Sequence, residues 1–436
     1  MSKTKIAIIG AGFAGLAAAW ELSKYDFEVT VLESQTKPGG LAGGFKEKAW
    51  QWSLEKHYHH VFTTDKDIQE ILQEMGLADL LFFKNTRTAT LYQGNSYQLD
   101  SAMSLLAFPK ISFFSRFRMG LVLAALKFNP YGKFLERYTA SHFIKKTMGN
   151  EAWEVVWGPL FVAKFGQYKD KVNAAWFWAR LFARSKQLGY FRGGFLNLAE
   201  RMVDKLKQKK VVFKFDKKVE KIDSRNGKVI LSVKSKQGHL KKLKFDKLLV
   251  TVDSSLLPRL LKQLAQKNKN DLSSLPYLGV QTLVIQLNKA FFKDKTYWLN
   301  INEKNWPFMA VVEHTNLIKK KFYANSTLLY IGKYLDINDR DFKLNKKELF
   351  NKYKSYLNKL SPDFQKNLKD LWLFKENFAQ PVVGINHSRL VPSFKLAIEN
   401  CYWVSMQHIY PWDRGVNYAI KLARKAAQFI VADLER

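Results

Sequence analysis

The order of apolar and polar positions predicts a mixed α/β chain from its first residues. A short apolar run, Lys5 to Ile9, reads as a buried strand, and after a glycine turn the segment from about Ala14 to Ser23 reads as a helix. "FEVTVLE" then predicts a second strand ending at Glu33, and a further helix is expected to begin between Thr64 and Asp67. Ser101 to Gln167 is rich in Phe, Leu and Trp at helical spacing, with Lys110, Arg116, Arg118 and Lys127 interspersed. From Leu278 to Leu335 the pattern changes to alternation, as in "VQTLVIQLN" and "STLLYIGKYL", which predicts a strand-rich region. The end, "NCYWVSMQHIYPWDRGVNYAIKLARKAAQFI", has the form strand, loop, glycine, helix.

Composition narrows the class. With 436 residues, 47% of them hydrophobic and 25% charged, the chain is long enough for two or three domains and is not disordered. The single cysteine, Cys401, excludes an intramolecular disulfide and any Cys-rich zinc or iron–sulfur site, and fits a reducing cytosol. The 71 Lys+Arg against 38 Asp+Glu leave a net charge of +33, which implies an anionic partner or a solvated Lys-rich surface. The excess is spread along the chain without a basic tail, a helix-turn-helix or a zinc-finger spacing, so nucleic acid is set aside in favour of a small-molecule or lipid-like substrate and an anionic membrane surface. No apolar run reaches the roughly 20 residues that span a bilayer. The basic, apolar N-terminus is not read as a signal peptide, because its glycines fall in a different motif.

That motif is Gly10-x-Gly12-x-x-Gly15 between strand and helix. Gly10 permits a tight turn, Gly12 lets a pyrophosphate approach the backbone, and Gly15 lets the helix pack closely on the strand. Glu33 ends the second strand, where an acidic side chain accepts hydrogen bonds from an adenosine ribose. This predicts dinucleotide binding.

A second glycine segment, Pro38-Gly39-Gly40 followed by Gly43 and Gly44, makes the resemblance specific. Together with Gly10, Gly12, Gly15 and Glu33 it resembles the extended fingerprint of the FAD-dependent amine oxidase, protoporphyrinogen oxidase and phytoene desaturase superfamily. The resemblance implies FAD as cofactor, with Phe13, Ala14, Ser34, Leu41 and Ala42 lining its site beside those residues. "GYFRGGFLNLAERMVDKLKQKKVVFKFDKKVEKI" resembles the family's central stretch and places Val219 where a backbone pairs with adenine; Phe245 to Leu256 resembles the strand that returns to the cofactor domain. Gly415, Val416 and Asn417 would turn backbone N–H groups toward the flavin's polar edge. Family members usually carry Gly-Asp after the last strand; here Met406 and Gln407 stand there, and Gln407 keeps the capacity to bond a ribityl hydroxyl. The implied fold is a discontinuous Rossmann-like FAD-binding domain (1–85, 189–265 and 391–436), a mixed-sheet substrate domain (86–100 and 266–390) and a helical insertion at 101–188.

The stretch "EKHYHHVFTTD" places three of the eight histidines within four residues. In an extended strand Glu55, His57 and His59 share one face, with Tyr58 and His60 on the other, so Glu-x-His-x-His offers three metal ligands against a plain hydrogen-bonded polar strand. The segment resembles UDP-galactopyranose mutases, in which a comparable stretch lies beside the flavin. The resemblance implies that His60, with His59, faces the flavin or its substrate, that no metal is needed, and that His57 is structural. Glu313-His314-Thr315 is read as structural too, since neighbours on a strand face opposite ways.

The leading expectation is an FAD-dependent oxidoreductase with flavin N5 as hydride acceptor, acting on an apolar or lipid-linked substrate. A mutase-like flavoenzyme acting on a nucleotide sugar is the second reading, and a protein that merely holds FAD the third. No second G-x-G-x-x-G offers a nicotinamide site, so oxygen, a quinone or the product remains open as electron acceptor. The helical segment is either a lid or the membrane-associated region that related protoporphyrinogen oxidases hold at this place, and the expected location is the cytoplasm, with peripheral attachment to the inner face of the membrane. No arginine can be assigned to a substrate anion from the sequence.

Overall fold

A five-stranded parallel sheet organises the N-terminal motif, with strands in the order Val212–Lys214, Phe27–Leu32, Thr4–Ile9, Lys247–Val250 and Cys401–Trp403. The computed structural model describes residues 3–261 and 275–435. The expected boundary at 265/266 lies outside the described residues. Thr4–Ile9 is central because Ile6 to Ile9 are apolar and buried, as a strand covered on both faces requires. The chain runs outward from it in one direction through Phe27–Leu32 and in the other through Lys247–Val250. Its carboxyl end is therefore a topological switch point, where open α/β sheets bind ligands.

The helix Phe13–Leu22 follows at that point and is buried along nearly its whole length. Ala17, Ala18 and Ala19 let it press against the C-terminal helix Val416–Leu434, which contributes Ala423, Ala426 and Ala427 to the same cluster. Helix Lys66–Glu74 joins the pair, its Ile68 N–H donating 2.9 Å to Asn417 Oδ1. Arg424 ties the three together through Glu21 at 2.7 Å and Glu74 at 2.6 Å.

A seven-stranded mixed sheet forms the second body: Leu368–Pro381, Tyr277–Leu287, Thr327–Leu335, Ala310–Glu313, Thr296–Ile301, Arg87–Tyr92 and Asn95–Gln98. Arg87–Tyr92 pairs parallel with Thr296–Ile301, so residues far apart in the chain share this sheet. Helix Lys346–Leu360 covers one side through Leu349, Tyr353 and Leu357. The fold class is thus α/β, with a Rossmann-like sheet, a mixed sheet and a helical region.

The helical region comprises Phe113–Phe128, Ala140–Met148, Gly158–Phe165 and Ala174–Ala183 with shorter turns between. It has its own core, including Met119, Leu126, Ile144, Met148, Phe165 and Trp176. The outer face of Phe113–Phe128 is different: Phe113 is 69% exposed, Phe117 52%, Leu121 58% and Phe128 83%. These positions recur on one helical face. No helix among the described residues is long and apolar enough to cross a membrane.

The extended strand expected from Glu55 to His60 does not form. Only Leu54–Glu55 and Val61–Phe62 are strands, and a bend at Lys56 and His57 separates them. The alternation argument for three ligands on one face therefore fails.

Candidate active site

The glycine turn follows directly from the central strand. Gly10 has φ +106°, and a Cβ there would lie 2.6 Å from Thr251 Oγ1; a Cβ on Gly15 would lie 1.9 Å from the Gly10 carbonyl oxygen. Neither position admits a side chain. Gly12 is the N-cap of helix Phe13–Leu22 and no side chain caps it. The first intrahelical bond is Leu16 N–H to Gly12 O at 3.0 Å, so the N–H groups of Phe13, Ala14 and Gly15 precede the helical ladder and point their partial positive charge off its end.

The second glycine segment packs on the first. Gly39 N–H donates 2.9 Å to Ala11 O, and a Cβ on Gly40 would lie 3.2 Å from Gly12 Cα. Leu41 and Ala42 continue this turn, Ala42 buried. Glu33 lies just past the end of Phe27–Leu32; its Oε2 accepts the Ala11 N–H at 2.7 Å and its Oε1 accepts from Gln35 N–H at 2.9 Å and Ser34 Oγ at 3.2 Å. The carboxylate is thereby fixed with lone pairs to spare.

The other expected residues fall as follows. Val219 is buried in strand Lys217–Arg225, just before a one-residue register shift. Gly415 caps helix Val416–Leu434, again without a side-chain cap, and Ala419 N–H to Gly415 O at 3.0 Å is that helix's first bond. The Asn417 side chain is committed to helix Lys66–Glu74, which leaves only its backbone for a ligand. Gln407 is buried and its Oε1 has no protein partner, although a buried polar oxygen without one is costly. Two uncapped helix starts, a cradle that side chains would fill and an orphaned Gln407 oxygen fit a dinucleotide with a hydroxylated chain.

The histidine stretch resolves into separate roles. Glu55 is fully buried, accepting from Phe195 N–H at 2.8 Å, at the start of helix Gly194–Gln208, and from Tyr190 Oη at 2.6 Å. Burial pushes its carboxyl up to about 7, with both bonds opposing. His57 Nδ1 pairs with Thr282 Oγ1 at 2.8 Å, and His59 Nδ1 with His57 O at 2.7 Å. Glu55, His57 and His59 are thus each engaged elsewhere. His60 Nδ1 is buried without a partner, its ring edge-on to Phe62 and Trp298. Burial pushes His59 down to about 4 and His60 to about 3, so both are neutral imidazoles at neutral pH. Glu313 accepts Phe292 N–H at 2.8 Å, and His314 Nε2 meets Tyr323 Oη at 2.9 Å; this pair holds the fold.

A charged cluster that sequence reasoning missed gathers around Asp413. Asp413 Oδ2 accepts from Lys164 Nζ at 3.0 Å and Arg180 Nη1 at 2.5 Å, and its Oδ1 from Trp176 Nε1 at 3.2 Å. Arg414 is fixed by the Ala379 carbonyl and Tyr334 Oη. Burial pushes the Asp413 carboxyl up, but Lys164, Arg180 and Arg414 together outweigh it and hold it well below the carboxylate range. One signal was present: Trp176 and Arg180 are four residues apart in an otherwise apolar helix, Ala174–Ala183.

The chain matches the model of the family described as "Flavin containing amine oxidoreductase" over residues 13–431. A zeta-carotene desaturase of Capsicum annuum is 34% identical over 99 residues, which is 22% of this chain and 17% of that protein. The chain thus aligns with only a minor part of the curated relatives it matches. Solved structures share its fold over nearly the whole chain. A putative protoporphyrinogen oxidase from Exiguobacterium sp. 255-15 superposes with a TM-score of 0.75 at 16% identity, covering 100% of both chains. A reduced UDP-galactopyranose mutase gives 0.75 at 14% identity, covering 99% of this chain and 94% of that one. The matched span takes in the helix of the phosphate cradle, the second glycine turn, the histidine stretch and the C-terminal helix, and the chain belongs to the flavin-containing amine oxidoreductases, enzymes whose cofactor is FAD.

Proposed function

We propose that this flavoenzyme oxidises an apolar or lipid-linked substrate that it meets at an anionic membrane surface. The observation that carries this reading is the outer face of Phe113–Phe128, where exposed aromatic side chains stand among Lys110, Arg116 and Lys133 rather than in a core. FAD, when bound, supplies a hydride acceptor. In this reading the N–H groups after Gly12 and those after Gly415 hold its anionic and polar edges, Glu33 takes the adenosine ribose, the Val219 backbone takes adenine, and Gln407 Oε1 accepts from the ribityl chain. His59 and His60, neutral through burial, orient the substrate without placing a full charge beside a carbon that gives up a hydride. The Rossmann-like segments 1–85, 189–265 and 391–436 bind the cofactor, 86–100 and 266–390 shape the substrate chamber, and 101–188 roofs it.

Among the cations around Asp413, Arg414 has no carboxylate within 4.0 Å among the described residues, which favours a second reading, a mutase-like reaction on a nucleotide sugar without net oxidation. Anaerobic mixing of the purified enzyme with lipid, amine, porphyrinogen and nucleotide-sugar substrates separates the two. Bleaching of the flavin by an apolar substrate, faster with anionic vesicles, supports oxidation. Turnover of a nucleotide sugar only after the flavin has been pre-reduced, with no bleaching by any substrate, refutes it.

A further inference from the structure

We propose that Glu55 is a positioning residue for the cofactor: its carboxyl, fixed at the start of helix Gly194–Gln208, keeps the second glycine turn and the histidine stretch in the arrangement that receives FAD. This rests on the second glycine turn being part of the FAD site. What the carboxyl joins is the first ground. Gly193, the N-cap of that helix, offers no side-chain acceptor. Glu55, 140 positions from Phe195 in the chain, supplies the missing one, its Oε1 taking the Phe195 N–H at 2.8 Å. Oε2 takes Tyr190 Oη at 2.6 Å. Ser53 seals the same joint, its Oγ donating to Gly193 O at 2.7 Å and its N–H to the same oxygen at 3.2 Å. Gly194, at φ +90°, leaves no room for a side chain here, since a Cβ would lie 2.5 Å from Ser53 Oγ and 3.1 Å from Glu55 Oε1.

Where the joint leads is the second ground. Glu55 pairs with Gly44 in the short ladder of Gly44–Phe45 with Leu54–Glu55, and the next residue, Lys56, donates its N–H to Gly43 O at 3.2 Å. A Cβ on Gly44 would lie 3.4 Å from Leu196 Cβ, and one on Gly39 3.8 Å from Ala199 Cβ, so the helix that Glu55 caps packs against both ends of the second glycine turn. On its other side, Glu55 O accepts from Tyr330 Oη at 2.9 Å, and Tyr330 stands in strand Thr327–Leu335 of the mixed sheet. Two residues on, His57 meets Thr282 of the same sheet. Glu55 thus lies where the glycine turn, its supporting helix and the mixed sheet meet, immediately before the histidines.

What the arrangement costs is the third. Glu55 is 0% exposed, and no Lys, Arg or His nitrogen lies within 4.0 Å of its carboxyl oxygens among the described residues. A buried carboxyl without a cation lowers stability, and an apolar side chain of like volume would fill the space at less cost. Such a departure from what stability alone favours is expected where a chain shapes a ligand site.

The test is titration of the apoprotein with FAD by fluorescence quenching, together with the visible spectrum of the bound flavin, in Glu55→Leu and Glu55→Gln. Leu matches the side chain's bulk but accepts no hydrogen bond; Gln keeps an acceptor for the Phe195 N–H and donates from its amide to Tyr190 Oη. Glu55→Leu is expected to bind FAD at least about tenfold more weakly and to alter the flavin spectrum, since a hydrogen bond to a charged group is worth about that factor or more and its loss lowers the competent fraction of the turn in proportion. Glu55→Gln should recover most of the loss, which a side chain that merely fills space would not do. Cooperative thermal unfolding of each apoprotein shows that it is folded. If Glu55→Leu does not fold, Tyr190→Phe with Ser53→Ala, which delete two hydroxyl groups and keep the ring, takes its place, with FAD binding at least roughly threefold weaker expected. Wild-type affinity and spectrum in the folded variant, or Glu55→Gln binding as weakly as Glu55→Leu, overturns the proposal. Wild-type FAD affinity in Gly40→Ala, a change in the glycine turn itself, sinks the underlying reading instead, so the two failures are told apart.

Discussion

Gly12→Ala and Gly15→Ala differ by one methyl group each and are expected to fail in opposite ways. A Cβ on Gly15 would lie 1.9 Å from the Gly10 carbonyl oxygen, a backbone atom that cannot yield without separating strand from helix. That exceeds ordinary overpacking, so the expected cost is above about 3 kcal/mol and the variant is recovered poorly folded. A Cβ on Gly12 has the Gly40 Cα as nearest neighbour at 3.7 Å, an ordinary contact. Its φ of −72° suits any residue, so the apoprotein is expected to keep its stability within about 1 kcal/mol. The methyl group nevertheless stands on the open side of the helix start, where the pyrophosphate must come close to the Phe13, Ala14 and Gly15 N–H groups. FAD affinity should fall by roughly tenfold to a hundredfold, equivalent to about 1.4–2.8 kcal/mol, and the stabilisation conferred by saturating FAD should shrink by the same amount. Urea unfolding of apoprotein with and without FAD, together with FAD titration by fluorescence quenching, measures both quantities. Wild-type FAD affinity in Gly12→Ala, or apoprotein unfolding as severe as in Gly15→Ala, would refute the reasoning.

Three further outcomes are expected. His60→Ala should shift the flavin's visible spectrum or reduction potential while the protein stays folded; if spectrum and turnover are both unchanged, the histidine is structural. Phe113→Ser with Phe117→Ser and Phe128→Ser should weaken binding to anionic vesicles by at least about tenfold, since each buried Phe contributes on the order of 2 kcal/mol, and equal recovery of wild type with anionic and neutral vesicles at low salt argues for a plain lid. Arg116 and Arg118 are unsuited to that test, because they bond the carbonyls of Leu106 at 2.5 Å and of Lys146 and Thr147 at 2.6 Å, and their loss would disturb the helix ends. Burial depresses His57 and His314 to about 3 and His408 to about 4, so their contribution is fully present above the unfolded value near 6.5 and is lost as pH falls below it, at about 2 kcal/mol each by pH 5. Glu55, raised to about 7, has the opposite sign: its stabilisation is present at low pH and falls as pH rises from about 4.5 to 7. Urea midpoints across this range check both, and Glu55→Gln should abolish the part that falls with rising pH while leaving the acid lability.

The strand–glycine turn–helix start was legible in the sequence because its information is local. Gly10, Gly12 and Gly15 meet constraints set within a strand, a turn and one helical turn, and Glu33 ends the adjacent strand, so spacing alone specifies them. The second glycine segment could be read as part of the same site only through its resemblance to a family. The structure then showed why it must be glycine: Gly39 and Gly40 sit at φ +118° and +56° with Gly40 against Gly12. The histidine run went partly astray because alternation presumes a continuous strand, and the bend at Lys56 and His57 comes from distant partners: Glu55 held by Phe195 and Tyr190, His57 by Thr282. Arg180 stands on an apolar helix in the sequence, but its meeting with Lys164 at Asp413 brings together residues separated by 233 to 249 positions in the Asp413 ion pairs. No periodicity spans such a distance. Short-range sterics and hydrogen bonding make the glycine turn legible along the chain, whereas the charged cluster around Asp413 arises only when separate segments pack together.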